Sequence, residues 1–347
     1  MSFLTPRPEL GRLMVGTVRV ARGLTQSQVA NKAGISQAVL SKVEGGALEL
    51  DRERIESLAR VLEVPVELLL MPTSEVGPAP YVFHRKRSTL PVSKANQLRA
   101  ELDLVHLQVE GILGSARPPV LIKRSPLLDD GYVTPADVAN ELRKELSVGR
   151  GPIENLVGVL ESAGVVVVER DLGSTRIDAV VSWPEGRSPL VLLGSHAPAD
   201  RQRFTMAHEL AHAVMHQVPT EDQESEADRF ASEFLMPTAT ISSVLEGATV
   251  PRLAKLKPEW GVSMAALLRR ARDLGRITES QYKQINIEFS KAGYRTREPV
   301  ELPREKPSII RRTIDDRLAA GESIQSIAQS ALMTDTQFRH VYRGEAA

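Results

Sequence analysis

The 347 residues, 42% of them hydrophobic, suffice for two or three domains with cores of their own. Lysine plus arginine equals aspartate plus glutamate, 44 each, so the whole chain offers no net field to draw it to nucleic acid or membrane, and a local patch must do so if anything does. Cysteine is absent, which excludes disulfides, thiolate catalysis and cysteine-rich zinc knuckles and leaves His, Asp and Glu to build any metal site.

The N-terminus MSFLTPRPELGRLM lacks the apolar core of a signal peptide. No later run approaches the roughly 18 apolar residues that cross a bilayer, so the expectation is a cytoplasmic protein with no membrane partner. The expected fold class is multidomain and mainly α, with a small sheet in one domain.

Residues 9–70 read as short helices at 9–22, 26–33, 36–44, 51–62 and 66–70, separated by RGLT, GI, GGALEL and VP. Thr25, with Gln28 three positions on, has capping-box spacing and fixes the start of the second helix. Gly34 supplies a turn open to positive φ, and Ser36 caps a third helix whose buried side is Leu40 and Val43. Two helices joined through a tight glycine turn make a helix-turn-helix unit.

The outward face of the third helix then carries Gln37, Ala38, Ser41 and Lys42. Gln can pair bidentately with adenine, Ala and Ser fit a groove floor, and Lys reaches a phosphate. Charge agrees: residues 1–43 hold six basic side chains against one acidic, residues 44–71 three against seven. The positive half coincides with the helices that would meet the phosphates.

The runs GLTQ, GIS, LSKVE and LARVLEVPVELLL, in that order and spacing, resemble the XRE/Cro-like repressor family over residues 9–70. The resemblance implies a five-helix domain that binds double-stranded DNA as a homodimer. It places Gln26 at a phosphate and Gln37, Ala38 and Ser41 near base edges; Ser36 and Lys42 complete the expected DNA-binding set.

The helix-turn-helix domain is assigned to residues 1–72 and a linker with one helical segment to 73–130. MPTSEVGPAPY (71–81) is proline-rich and without periodicity, HRKR (84–87) reads as solvated surface, and a helix is predicted around 93–115. A second domain spans 131–300. There TPADVANELRKEL and PIENLVGVLESA read as helices, and GVVVVER, IDAVVSW and PLVLLG as strands. Further helices are predicted at about 250–256, 263–274 and 278–292. The region 301–347 reads as a helical tail whose apolar set is Leu318, Ile324, Ile327, Ala328 and Leu332.

RFTMAHELAHAVMH (203–216) holds three of the seven histidines at four-residue spacing. On a helix His208 and His212 are neighbours, about 5–6 Å apart at Cβ, and both imidazoles can grip one ion. Glu209, about 100° round from His208, can address a water on that ion without binding the ion itself. A zinc held by two imidazoles and a carboxylate lowers the pKa of a water towards neutrality, and Glu209 then takes its proton and delivers it to a leaving amine. The apolar residues Phe204, Ala207, Leu210, Ala211, Val214 and Met215 bury most of the helix, and imidazoles buried there without a partner would be costly.

The third ligand is expected from ESEADRFASEFLMP, which offers Glu224, Glu226 and Asp228. Phe230 and Phe234 continue the stripe of Glu226, which favours Glu226; Asp228 is placed to orient a ligand histidine, and Glu224 reads as solvated. His216 lies too far along the axis to close a tetrahedron with the other two and reads as a bystander.

GPIENLVGVLESAGVVVVERDL, RFTMAHELAHAVMH, ESEADRFASEFLMP and KPEWGVSMAALLRRARDLGRI with GYRTREP together resemble the ImmA/IrrE family of zinc metallopeptidases, over roughly residues 134–300. The resemblance implies an α+β, gluzincin-like fold, one zinc ion per chain on His208, His212 and Glu226, and Glu209 as general base. PLVLLG would be the sheet edge that receives an extended peptide. The expected function is a DNA-binding regulator whose zinc endopeptidase domain cleaves a repressor-like protein in a stress, phage or mobile-element response. The alternative is a transcription factor or antitoxin-like regulator whose HExxH domain senses metal or ligand without proteolysis. Glu209 argues against the alternative, since a purely structural zinc site needs no base.

Overall fold

The computed structural model describes residues 13–73, 91–127, 132–175, 177–216 and 221–344. The predicted helix start at residue 9, most of the proline-rich linker and the HRKR run lie outside the described residues. In chain order the elements are α1 (Val15–Ala21), α2 (Gln26–Ala33), α3 (Gln37–Glu44), α4 (Arg52–Leu62), α5 (Val66–Leu70), α6 (Val92–Leu113), α7 (Pro135–Glu145), α8 (Leu156–Ser162), β1 (Val166–Arg170), β2 (Ala179–Ser182) and β3 (Leu190–Gly194). They continue with α9 (Ala199–Met215), α10 (Gln223–Leu235), α11 (Thr238–Val244), α12 (Val250–Trp260), α13 (Met264–Asp273), α14 (Glu279–Lys291), α15 (Ile309–Ala319), α16 (Ile324–Ser330) and α17 (Asp335–Phe338). The protein is mainly helical with one three-stranded sheet among the described residues.

The chain divides into two compact units: Met1–Ala79 with Ser88–Arg117 and Ile309–Ala347, and Pro80–Arg87 with Pro118–Ser308. In the first, the sequence signals act as expected. Thr25 and Gln28 form a reciprocal capping box at α2, Gly34 ends α2 at φ 71°, and the Ser36 hydroxyl accepts from the Val39 N–H at 3.3 Å to start α3. Met14, Val18, Val29, Leu40, Val43, Leu58 and Leu62 close the core beneath them.

The boundaries of this unit differ from the sequence-based division. α6, expected within a linker, contributes Leu104 and Leu107 to the helix-turn-helix core, and its Gln97 side chain donates to the Ala21 carbonyl at 3.2 Å. The reason lies in its own residues: Leu98, Leu102, Val105, Val109 and Ile112 are buried as well as Leu104 and Leu107, so more than one side of the helix is apolar. The C-terminal helices cover the rest. Arg317 donates to the carbonyls of Gly111 and Ile112 at 2.9 and 3.0 Å, and a Cβ at Gly111 would stand 1.8 Å from the Ser330 carbonyl oxygen, so only glycine permits this approach. The helical tail belongs to the same unit, with Ile314, Ile327, Ala328 and Phe338 buried.

In the second unit the strand order is β1-β3-β2. β3 runs parallel to β1, with Val166 opposite Leu190, and antiparallel to β2, with Ala179 opposite Leu193. The strand expected at the sheet edge is therefore the central one. Its five residues are all buried, as a strand covered on both faces must be, and the edges are β1 and β2. α9 packs against β2 and β3, and α10 packs on α9.

Buried ion pairs hold the first turns of α9. Lys257 donates to Asp200 at 2.6 Å and to Glu298 at 2.7 Å, and Arg203 pairs with Glu305 while donating to the Ile153 carbonyl at 2.6 Å. Burial lowers the Arg203 pKa to about 10, which still leaves it charged at neutral pH. The helix carrying the histidines is thus fixed at its start by charges and along its length by Met206, Leu210 and Val214 in the apolar core.

Candidate metal centre and nucleic-acid interface

His208, Glu209 and His212 are all buried, at 5%, 1% and 1% exposure. The two Nε2 atoms face each other at 3.1 Å. Glu224 stands beside both, one carboxylate oxygen 3.6 Å from His208 Nε2 and the other 3.8 Å from His212 Nε2. One donor atom from each of the three lies within 4.8 Å of the other two.

Glu226, expected as the third ligand, is not in this cluster. Its carboxylate lies 3.0 Å from His216 Nε2. Glu226 faces α9, and what lies opposite it there is His216. Glu224, which read as solvated, keeps a half-exposed side chain, and its carboxylate reaches across to the histidine pair.

Each histidine is held from behind. His208 Nδ1 lies 3.0 Å from Asp228 Oδ1, whose other oxygen accepts from Arg269 Nη1 at 3.3 Å. His212 Nδ1 lies 2.7 Å from Nδ1 of His216. The i, i+4 spacing of Glu224 and Asp228 on α10 places one carboxylate in front of the histidines and one behind. Arg269, on α13, is a contributor that nothing in the local motif signals.

The metal-free electrostatics are uneven. Burial disfavours the His208 imidazolium, but its hydrogen bonds to the Asp228 and Glu224 carboxylates and the charge of Glu209 outweigh it and raise its pKa to about 9. Burial has the opposite outcome at His216, whose pKa is lowered despite the opposing Glu226. The two shifts run in opposite directions on either side of His212, which lies between His208 and His216.

The donor set fits zinc. Two imidazoles and one carboxylate are a ligand set of catalytic zinc sites, and two nitrogens bound at about 2.0–2.1 Å to one tetrahedral ion stand about 3.3 Å apart, close to the observed separation. Asp228 behind His208 supplies the carboxylate support that such a ligand needs.

Three further polar residues of the second unit, His196, Tyr282 and Tyr294, have surroundings of their own. His196 lies 3.1 Å from Asp178 at the end of β3, and Tyr282 lies under the Arg272 guanidinium at 4.5 Å. Tyr282 and Tyr294 line a cavity of about 880 Å³ together with Phe204, Arg269 and Arg295.

In the first unit, α3 turns Gln37, Ala38, Ser41 and Lys42 to solvent, with Ser36 exposed at its cap. Gln26 is half-buried and donates to Glu44 at 2.8 Å, while Gln37 accepts from the Ser27 hydroxyl at 3.1 Å. Arg19 grips the same Glu44 at 2.6 and 2.8 Å. The expected DNA-facing residues therefore share one surface, and two of them are already positioned by neighbours.

Residues 9–70 match the family model described as a helix-turn-helix domain, and residues 160–272 match the one described as an IrrE N-terminal-like domain, a peptidase family. The second match contains both histidines, Glu209, Glu224, Glu226, Asp228 and Arg269. No curated protein matches the chain. One chain thus joins a region similar to a helix-turn-helix domain, residues 9–70, to a region similar to an IrrE N-terminal-like peptidase domain, residues 160–272.

Proposed function

We propose that the protein is a DNA-binding regulator whose ImmA/IrrE-type domain is a zinc-dependent endopeptidase acting on a repressor-like protein. The observation that carries the reading is the pair of buried imidazoles whose Nε2 atoms converge at 3.1 Å beside Glu224, with Glu209 buried next to them. His208, His212 and Glu224 would hold the ion. A zinc ion there supplies a Lewis acid that brings the pKa of a water towards neutrality.

Glu209 would serve as the general base, holding a proton and passing it to the leaving amine. Its place one residue after His208 puts it next to the ligand pair, and its charge already acts on His208. β2 is the edge strand that packs against α9, and an extended substrate is assigned to its free side by strand addition. The helix-turn-helix face brings the peptidase to DNA, where a repressor would be concentrated.

Glu209→Gln tests the reading. It should leave zinc content unchanged and lower cleavage of a co-expressed XRE-type repressor by about 10²–10⁴-fold. Equal processing by the variant and the wild type would remove the assignment of Glu209 and leave metal sensing as the better account. For the DNA half, the full chain should shift a fragment of its own promoter at moderate salt in preference to an unrelated fragment.

A further inference from the structure

His216 and Glu226 have no place in the catalytic scheme above. Both are set into the interface of α9 and α10: the His216 and His212 side chains are 3% and 0% exposed, and that of Glu226 is 22% exposed. They form a line, with Glu226 Oε2 3.0 Å from His216 Nε2 and His216 Nδ1 2.7 Å from His212 Nδ1.

The order of groups along that line sets the direction of its hydrogen bonds when the carboxylate accepts and each imidazole carries one N–H. An ionised carboxylate only accepts, so His216 Nε2 must carry the hydrogen that reaches Glu226. A neutral imidazole has a single N–H, so His216 Nδ1 is left as an acceptor. Facing it at 2.7 Å, His212 Nδ1 must then be the donor. That leaves the lone pair of His212 on Nε2, the nitrogen 3.1 Å from its counterpart on His208.

We infer that Glu226 and His216 form a hydrogen-bonded relay that locks His212 into its Nδ1–H tautomer and aims its Nε2 lone pair at the metal position, making both positioning residues rather than ligands. The inference rests on the reading of His208, His212 and Glu224 as the metal set. It also accounts for an asymmetry: a carboxylate, Asp228, supports His208 directly, whereas His212 is supported at one remove, through an imidazole. The imidazole spans the extra distance because Glu226 sits on the turn of α10 next to His216, not next to His212.

Two measurements test it on the full chain. The first is zinc affinity by competition with a chromogenic chelator for the wild type, Glu224→Ala, Glu226→Ala, Glu226→Gln, His216→Ala and the His216→Ala/Glu226→Ala double variant. Glu226→Ala and His216→Ala should each weaken zinc by about 10–100-fold, the usual effect of losing a ligand's hydrogen-bond partner. The double variant should be no weaker than His216→Ala alone, because the two act in series. Glu226→Gln, whose amide oxygen still accepts from His216, should recover most of the affinity. Multiplicative losses in the double variant would overturn the relay. So would a loss at Glu226 with none at His216, which would instead make Glu226 a direct ligand.

The second measurement needs no variant. In the metal-free wild type labelled with ¹⁵N-histidine, two-bond proton–nitrogen correlations should show His212 protonated on Nδ1, and protonation on Nε2 would overturn the relay. A wild type that binds no zinc while still showing the Nδ1–H tautomer would sink the metal reading and leave the hydrogen-bonded line standing.

Discussion

α3 and α9 both carry polar side chains at functional spacing, and the protein treats them in opposite ways. α3 leaves Gln37, Ala38, Ser41 and Lys42 in water, where an unmet hydrogen bond is made good by solvent. α9 takes His208, Glu209 and His212 out of water, and buried polar groups need protein partners. The consequence is visible in the surroundings. Behind the histidine pair stand Asp228 and Glu226 on α10, Arg269 on α13 and His216 at the C-terminal cap of α9, whereas α3 has hydrogen bonds from Ser27 to Gln37 and from Gln26 and Arg19 to Glu44, its last residue. A surface site can therefore be changed one residue at a time, while changes in the buried site reach into stability and metal affinity together.

The largest expected effect lies in the buried scaffold around α10. Arg270 pairs with Glu233 and donates to the Met236 carbonyl at 2.9 Å and to the Thr238 hydroxyl at 2.9 Å, while Glu233 also accepts from the Thr238 N–H at 3.0 Å. Burial would push the Glu233 pKa up, but the hydrogen bonds from Thr238 and the Arg270 charge bring it below its ordinary value. Arg270→Ala removes the cation and leaves the carboxylate buried, which should cost about 3–5 kcal/mol in urea unfolding. A loss below about 1 kcal/mol would mean that water reaches Glu233.

Zinc binding should depend on pH in a direction the geometry fixes. His208 is held protonated up to about 9 in the metal-free protein, and a ligand histidine must be unprotonated. Zinc must therefore displace that proton at any pH below about 9, and affinity should fall about tenfold for each unit from 9 down to 7. Chelator competition at pH 7, 8 and 9 measures this, and a flat profile would mean that His208 is not charged in the metal-free site. Stability of the metal-free protein should move the other way. The folded-state pKa lies above the ordinary 6.5, so the contribution of His208 is fully present below 6.5 and is lost as pH rises through about 9.

Legibility in the sequence follows the same division. Caps and turns are local chemistry, so Thr25, Gly34 and Ser36 placed α2 and α3 within a residue. The three β-branched runs likewise became strands, and His208, Glu209 and His212 lie together as their spacing requires. Pairings between elements were not legible. Four-residue periodicity tells which side of α10 faces α9, but not which turn of α10 meets which histidine, so the sequence favoured Glu226 where the structure brings Glu224 beside His208 and His212 and sets Glu226 on His216. The interior place of β3 was signalled by its unbroken apolar run, which an edge strand with one wet face would not need. α6 carried a comparable signal: Leu98, Leu102, Leu104, Val105 and Leu107 surround too much of the helix for a linker. The contact of His216 with His212 was hidden because its distance along the helix, which argues against a ligand, says nothing of a role behind one.

The exposed face should give the smallest and most separable effects. Gln37 lies on the solvent side of α3, so Gln37→Ala removes no buried contact, and its cost should appear only on DNA, as about 1–3 kcal/mol at a single base position with other positions unaffected. Lys42 is exposed one turn further along and is assigned to a phosphate. Lys42→Ala should weaken binding to all sequences alike and reduce the slope of log affinity against log salt by about 0.9, the release of one counterion. Gel shifts over a salt series, on the operator and on single-base variants, separate the two patterns. If Lys42→Ala altered base preference while Gln37→Ala altered only the salt slope, α3 would lie in the groove rotated from the orientation its capped start and buried Leu40 and Val43 imply, and the assignment of its exposed face would have to be redrawn.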